Sequence, residues 1–324
     1  MQRIIDKIQE LFANDTVDRV LGWKTGEFSW ERTPHVFTKE GGLDGFVYDD
    51  FCGANLSKYL IDESAKKDAG KVLVLLKPCD TYSYNQLIKE HRVKPENIYV
   101  LAIPCRGKVN VDAVKAAVGT TVLAVEETEG DDLKVKTFRG EKIVNRNDVL
   151  FEKCQVCQKT HQVYDEIIEA EPYERPKKDR FAEVEALEAL SPEERYEFWR
   201  TQLSKCIRCN ACRNVCPACN CRTCVFDNAK SGVATKANTD DFEENMFHII
   251  RAFHVAGRCT DCGECSRVCP QNIPLHLLNR KYIKDMNTYY GEYQAGEDAE
   301  TRGPLTNFTK EDVEPSIVYG KGGK

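Results

Sequence analysis

The chain has no apolar run near the roughly 20 residues that a membrane-crossing helix needs. Its longest runs, such as Val72 to Leu76, are far shorter. It has no twin-arginine signal, and Met1 to Phe12 is amphipathic rather than a charged segment followed by an apolar core. Positive charge is not in excess: 46 Lys and Arg stand against 52 Asp and Glu, a formal net charge of −6. That balance disfavours nucleic acid as a partner, because phosphate binding wants a basic stripe. Also missing is a nucleophile with its base, or a pair of carboxylates placed for acid–base work. These absences lead to the expectation of a soluble cytoplasmic protein with no membrane insertion. The length of 324 residues, with 41% hydrophobic and 30% charged residues, suits about two globular domains.

What is abundant is cysteine, at 16 residues. In a secreted chain this would suggest disulfides, but the residues cluster at ligand spacings and no signal peptide is seen, which points to a reducing compartment. One run reads Cys206-Ile-Arg-Cys209-Asn-Ala-Cys212-Arg-Asn-Val-Cys216-Pro217, the other Cys259-Thr-Asp-Cys262-Gly-Glu-Cys265-Ser-Arg-Val-Cys269-Pro270. Both have the C-x2-C-x2-C-x3-C-P spacing of two-cluster ferredoxins. Three thiolates two residues apart can wrap three corners of one cubane, while the fourth points at the other cluster and the proline stops a helix running on. The spacing therefore assigns one 4Fe-4S cluster to Cys206, Cys209, Cys212 and Cys269, and a second to Cys259, Cys262, Cys265 and Cys216. Zinc is the plain alternative, but it needs only two C-x2-C pairs per site and explains a repeated four-cysteine run poorly. The intervening Lys205, Arg208, Arg213 and Arg222 would offset cluster charge or form a docking patch.

Ahead of these runs the pattern is α/β. Residues 2–21 carry apolar residues at helical intervals, predicting one or two helices, and 22–53 read as loops and short strands rich in aromatics. A helix is expected at 55–67. Lys71 to Lys77 and Ile98 to Ile103 read as buried strands, each followed by Pro-Cys, with helices at 81–92 and 111–118 and a hairpin over 121–126 and 133–138. A strand–helix–strand unit puts both carboxyl ends on one sheet edge, where open α/β sheets hold ligands. Cys79 and Cys105 are thus expected as neighbours. With the pair Cys154-Gln-Val-Cys157 they would complete a third 4Fe-4S cluster, the alternative being inert buried thiols. The expected architecture is an α/β domain with a partly parallel sheet over 1–170, a charged linker at 171–180 and a mostly helical dicluster ferredoxin domain over 181–290. An irregular tail follows at 291–324, either disordered or laid over a partner.

In the second domain Ser191-Pro192-Glu193-Glu194 has the form of a capping box. After a polar segment at 227–239, a helix over 241–256 should turn Phe242, Met246, Ile249, Ile250 and Phe253 to the core, with His248 and His254 as satisfied polar residues; another helix spans 275–290. Cys52, Cys219, Cys221 and Cys224 remain over. They permit a fourth cluster, or serve as packing thiols, or Cys52 replaces a ligand of the third; the spacing leaves this open.

The C-terminal half resembles the helical two-cluster ferredoxin domains of heterodisulfide-reductase and succinate-dehydrogenase-type carriers, and Cys216-Pro-Ala-Cys219-Asn-Cys221 is similar to the C-P-x-C-x-C of sulfhydrogenase and anaerobic sulfite reductase beta-type subunits. The N-terminal half resembles the beta-subunit family of deazaflavin-reducing hydrogenases and formate dehydrogenases, through Lys77-Pro-Cys79-Asp, Ile103-Pro-Cys105 and Cys154-Gln-Val-Cys157. The latter resemblance implies a cubane cluster and usually a flavin, although no residue here marks a flavin site. The expected function is that of an electron-transfer subunit of an anaerobic, multi-subunit oxidoreductase complex. It would link a flavin, hydrogenase or formate dehydrogenase-type partner to a heterodisulfide-reductase-like or other reductase partner. The alternatives are a flavin enzyme subunit acting on a nicotinamide or deazaflavin, and an assembly module with structural clusters.

Overall fold

The computed structural model describes residues 1–307 except 68, 129, 172, 174–177, 229 and 231–240. Half of the expected linker, most of the polar segment before residue 241 and the tail from 308 onward lie outside the described residues.

Helix α1 (Gln2–Ala13) lays Ile4, Ile8, Leu11 and Phe12 on the first core, as its periodicity predicts. No second helix follows. Val17 and Val20 instead lead into strand β1 (Arg19–Thr25), which pairs antiparallel with β2 (Arg32–Thr38) and β3 (Phe46–Val47). Helical spacing there was outweighed by burial: β1 also runs parallel to β4 (Val72–Leu76), whose five residues are all fully buried. The helix expected at 55–67 shortens to a 3-10 turn at Leu56–Tyr59, with the Asn55 side chain accepting from the Ser57 amide, followed by α2 (Leu60–Glu63).

Pro78 does not merely end β4. It occupies the first position of helix α3 (Pro78–Lys89), where its fixed φ and missing N–H cost nothing. Strand β5 (Ile98–Ala102) lies parallel to β4, with Leu76 opposite Ala102. The chain then folds α4 (Val111–Val118) and an antiparallel meander, β6 (Val122–Glu127), β7 (Asp132–Thr137) and β8 (Gly140–Asn145), over a separate core. Helix α5 (Glu152–Gln155) and the two-residue β9 (Glu166–Ile167) return it to the first sheet, where β9 is parallel to β5. Neither β8 nor β9 was anticipated. The first is largely exposed and the second is too short to show a pattern. The sheet order is β2-β1-β4-β5-β9, mixed with parallel centre strands.

The C-terminal part is helical: α6 (Ala182–Glu188), α7 (Pro192–Leu203), α8 (Ala211–Val215), α9 (Asp241–Val255), α10 (Glu264–Arg267) and α11 (Leu275–Tyr290). The capping box forms, Ser191 accepting from the Glu194 amide and Glu194 from that of Ser191. Helix α9 is inverted relative to expectation. Phe242 is 70% and Phe253 58% exposed, Met246 and Ile249 also face outward, and Ile250 is half-buried. The buried face carries Glu244, Phe247, His248, Arg251, Ala252 and Val255. Periodicity locates an apolar stripe but cannot say which face meets the core when the core is lined by thiols and charges. His248 is not satisfied as expected either: it is buried with neither ring nitrogen hydrogen-bonded. His254 is exposed.

Polar groups lock the two parts together. Glu90, at the end of α3, accepts from Arg258 Nε at 2.7 Å and Nη2 at 2.5 Å, from Asn220 Nδ2 at 2.5 Å and from Gln86 Nε2 at 2.6 Å. Burial pushes the Glu90 carboxyl up, but these donors outweigh it and hold it below the ordinary range. Because its folded pKa is depressed, its contribution is full above the unfolded value of about 4.3 and is lost as pH falls through the folded value. Glu90→Ala should lower stability by about 1–3 kcal/mol. In calorimetry its apparent Tm deficit should narrow below about pH 4; a deficit independent of pH would contradict this.

Candidate metal centres

The two ferredoxin runs fold alike. In the first, Arg208 and Asn210 take φ of 53° and 61°; in the second, the equivalent Asp261 and Gly263 take 55° and 65°. Left-handed backbone at a non-glycine residue is strained. Its repetition at matched positions shows a loop shaped to curl three cysteines around one centre. Helices α8 and α10 then deliver Cys216 and Cys269. The fold brings Cys269 to the first run and Cys216 to the second. Cys206, Cys209, Cys212 and Cys269 line one small cavity beneath Phe247 and His248. Cys216 lies in the electrostatic reach of Cys259, Cys262 and Cys265.

The other expected set also converges. Cys79 in the first turn of α3, Cys105 beyond β5, Cys154 in α5 and Cys157 all line a cavity of about 210 Å³. Lys77, Lys108, Lys153, Lys159 and Arg180 share its wall, and so does Cys262 of the second run. The second and third sets are therefore adjacent. Sequence reasoning missed these cations; Lys77 beside Pro78-Cys79 was the only hint.

Two ion networks fasten the third set to the second run. Glu264, fully buried, meets Lys153 and Arg267, the latter at 2.8 Å, and accepts from the Asn55 amide at 3.1 Å. Arg280, also fully buried, reaches Glu152 at 2.5 Å and Asp261 at 3.1 Å, while Arg180 reaches Asp261 at 2.8 Å. Burial disfavours the Glu264 and Asp261 carboxylates, yet the facing cations hold both well below the usual range.

The leftover thiols are placed differently. Cys52 is fully buried in the sheet core, accepting from the Asp49 amide at 3.4 Å and 3.7 Å from the Val47 carbonyl. Burial pushes its thiol up to about 12, and the groups acting on it most strongly are Lys108, Asp49 and Lys77. Cys219 lies against Cys216, with Lys58 Nζ donating to its carbonyl at 2.7 Å. Cys221 is exposed, and Cys224 stands beside Arg213.

The donor sets fit a cubane better than a single ion. Four thiolates bonded to one zinc at about 2.3 Å stand about 3.8 Å apart. Among the described residues, the groups of three or more potential ligands within 4.8 Å of one another are Cys206–Glu244–His248 and Glu152–Glu183–His276, neither a cysteine set. Burial pushes Cys206 up to about 12 and Cys212 and Cys154 up to about 11. Such thiols become thiolates only against strong positive charge, which bound iron and the buried arginines and lysines provide.

Residues 202–273 match the family model of the 4Fe-4S dicluster domain. The helical C-terminal part thus holds a 4Fe-4S dicluster domain, and the chain is an iron–sulfur electron-transfer protein. Over most of its length it is similar to the beta subunit of the F420-dependent formate dehydrogenase of Methanocaldococcus jannaschii, 23% identical over 341 residues that cover 86% of this chain and 87% of that protein. It is likewise similar to the beta subunit of F420-dependent formate dehydrogenase 1 of Methanococcus maripaludis, at 24% identity covering 90% and 89%. Among the described residues no helix is long and apolar enough to cross a membrane.

Glu264→Gln leaves Lys153 and Arg267 facing a neutral group. Loss of one partner from a buried pair costs about 3–5 kcal/mol. Thermal unfolding followed by circular dichroism should show a correspondingly large fall in Tm; a fall of under a degree would mean the network adds no net stability.

Proposed function

We propose that this chain is the iron–sulfur subunit of a cytoplasmic, deazaflavin-linked formate dehydrogenase or hydrogenase-like complex. It passes electrons between that unit and a heterodisulfide-reductase-like or other reductase partner. The observation that carries the reading is Cys262: it belongs to the second ferredoxin run and also lines the cavity of Cys79, Cys105, Cys154 and Cys157. The third set, at the sheet edge, is thereby joined to the dicluster domain. The relatives' names, both subunits of F420-dependent formate dehydrogenases, support the choice of complex. Cubane clusters held at these sets supply reversible one-electron transfer. The protein's own part is to supply the thiolates, exclude water around them and hold cations beside them.

Anaerobically prepared protein should contain about 12 iron and 12 acid-labile sulfide per chain, the content of three cubanes. Cys157→Ala should lose about four of each while the dicluster EPR signals persist. Zinc in place of iron would overturn the reading, and undiminished iron in the variant would remove the third centre from it.

A second reading, that the subunit also carries a flavin, is favoured by a cavity of about 410 Å³ between the α/β and helical parts. Trp30, Phe51 and Phe151 offer apolar surface there, Arg32 and Arg267 offer charge, and Lys153 is shared with the third cysteine set. Flat aromatic faces with nearby cations suit an aromatic ligand bearing phosphate. Acid-denatured protein should then release a yellow chromophore; a colourless supernatant would dismiss the flavin and leave the relay intact.

A further inference from the structure

Helix α9 turns Arg251 inward, where it is 3% exposed and where none of its three guanidinium nitrogens has a hydrogen-bond partner. Five donors cannot be buried in this way at tolerable cost unless acceptors meet them. Thiols of both ferredoxin runs lie within electrostatic reach of Arg251, Cys212 of the first, Cys265 and Cys216 of the second and Cys219 beside them, as does the His248 ring on the same helix. One turn along, Val255 packs on Cys216 and is flanked by Cys219 and Cys259. One turn back, Phe247 and His248 cover the cavity of the first set. Nearby cationic Arg208 does not compete for this role, because its Nε already donates to Glu244 at 2.8 Å.

We propose that Arg251 is the electrostatic link between the two ferredoxin centres: its guanidinium donates to sulfur ligands of both, and its charge sets both potentials together. This inference rests on the cluster assignment proposed above. A cation that donates to sulfur favours the more negative, reduced state of a cluster, so its removal lowers the potential. Arg251 thereby explains why α9 presents its polar face inward, since the acceptors belong to the centres rather than to the chain.

The full chain, prepared anaerobically with ¹⁵N-labelled arginine, provides the test. Pulsed EPR of the reduced protein should show a weakly coupled nitrogen on the signals of both ferredoxin clusters, lost in Arg251→Lys. Redox-titrated EPR of Arg251→Gln should show both midpoint potentials displaced downward and that of the third cluster unmoved. A displacement of one cluster only, or of neither, at unchanged iron content overturns the linking role. So does a wild-type spectrum without arginine coupling, a result that requires no variant to fold. Wild-type protein without iron would instead sink the cluster assignment, and the two failures are told apart by metal content alone.

Discussion

Cys269 lines the cavity of the first run and Cys216 lies among the cysteines of the second, and the packing of the helical part is organised around that exchange. On the proposed assignment neither ferredoxin loop completes its own set; this requires α8 and α10 to pack closely and fixes the two centres relative to each other through the chain. The left-handed Arg208, Asn210 and Asp261 are the local cost of the curl. A backbone in that region persists only where its surroundings over-determine it. Here they are three cysteines held on the inside of each turn. The small apolar cluster of Leu203, Ile273 and Leu275 fills what remains between the cysteines, too little to organise 100 residues unaided.

The same constraint explains the seam between the two parts of the molecule. The third set is built from the ends of two parallel strands and from α5, and the second run must come up against it for Cys262 to reach the shared cavity. Apolar contact would hold such a seam with little regard for register. Charges hold it with register, because Glu264 and Arg280 each satisfy partners on both sides. Isolated ion pairs of this kind add little net stability when set against an apolar replacement, yet they penalise every misaligned arrangement heavily. Alignment is what neighbouring redox centres require.

Much of this was written in the chain. The strand Val72–Leu76, the Pro-Cys at the ends of β4 and β5, the capping box at Ser191 and the cysteine spacing each carry a local physical signature that tertiary structure had no reason to override. What could not be read were features whose cause lies elsewhere in space. Val17 and Val20 have helical spacing, but Val17 lies in the connection and Val20 in β1, because β1 pairs along the edge of β4. Residues 166–167 form β9 only because β5 does. Lys108, Lys153, Lys159 and Arg180 look like ordinary surface cations in one dimension and stand around a single cavity in three.

Helix α9 shows why such cases concentrate at the centres. An amphipathic helix normally buries its apolar face because water is the better solvent for its charges. Here Arg251 and His248 are buried and Phe242 and Phe253 are exposed, an arrangement that raises the free energy of the bare polypeptide. It is stable only if something inside attracts charge more strongly than water does. Thiolates bound to iron, carrying net negative charge in a medium of low dielectric, do so. The buried arginines and lysines are then counter-charges, and the apolar outer stripe is what a helix of this composition has left to show once its polar face has been claimed. Folding and cofactor binding are on this view one process: the residues that disobey the hydrophobic pattern are those whose partners are not in the sequence.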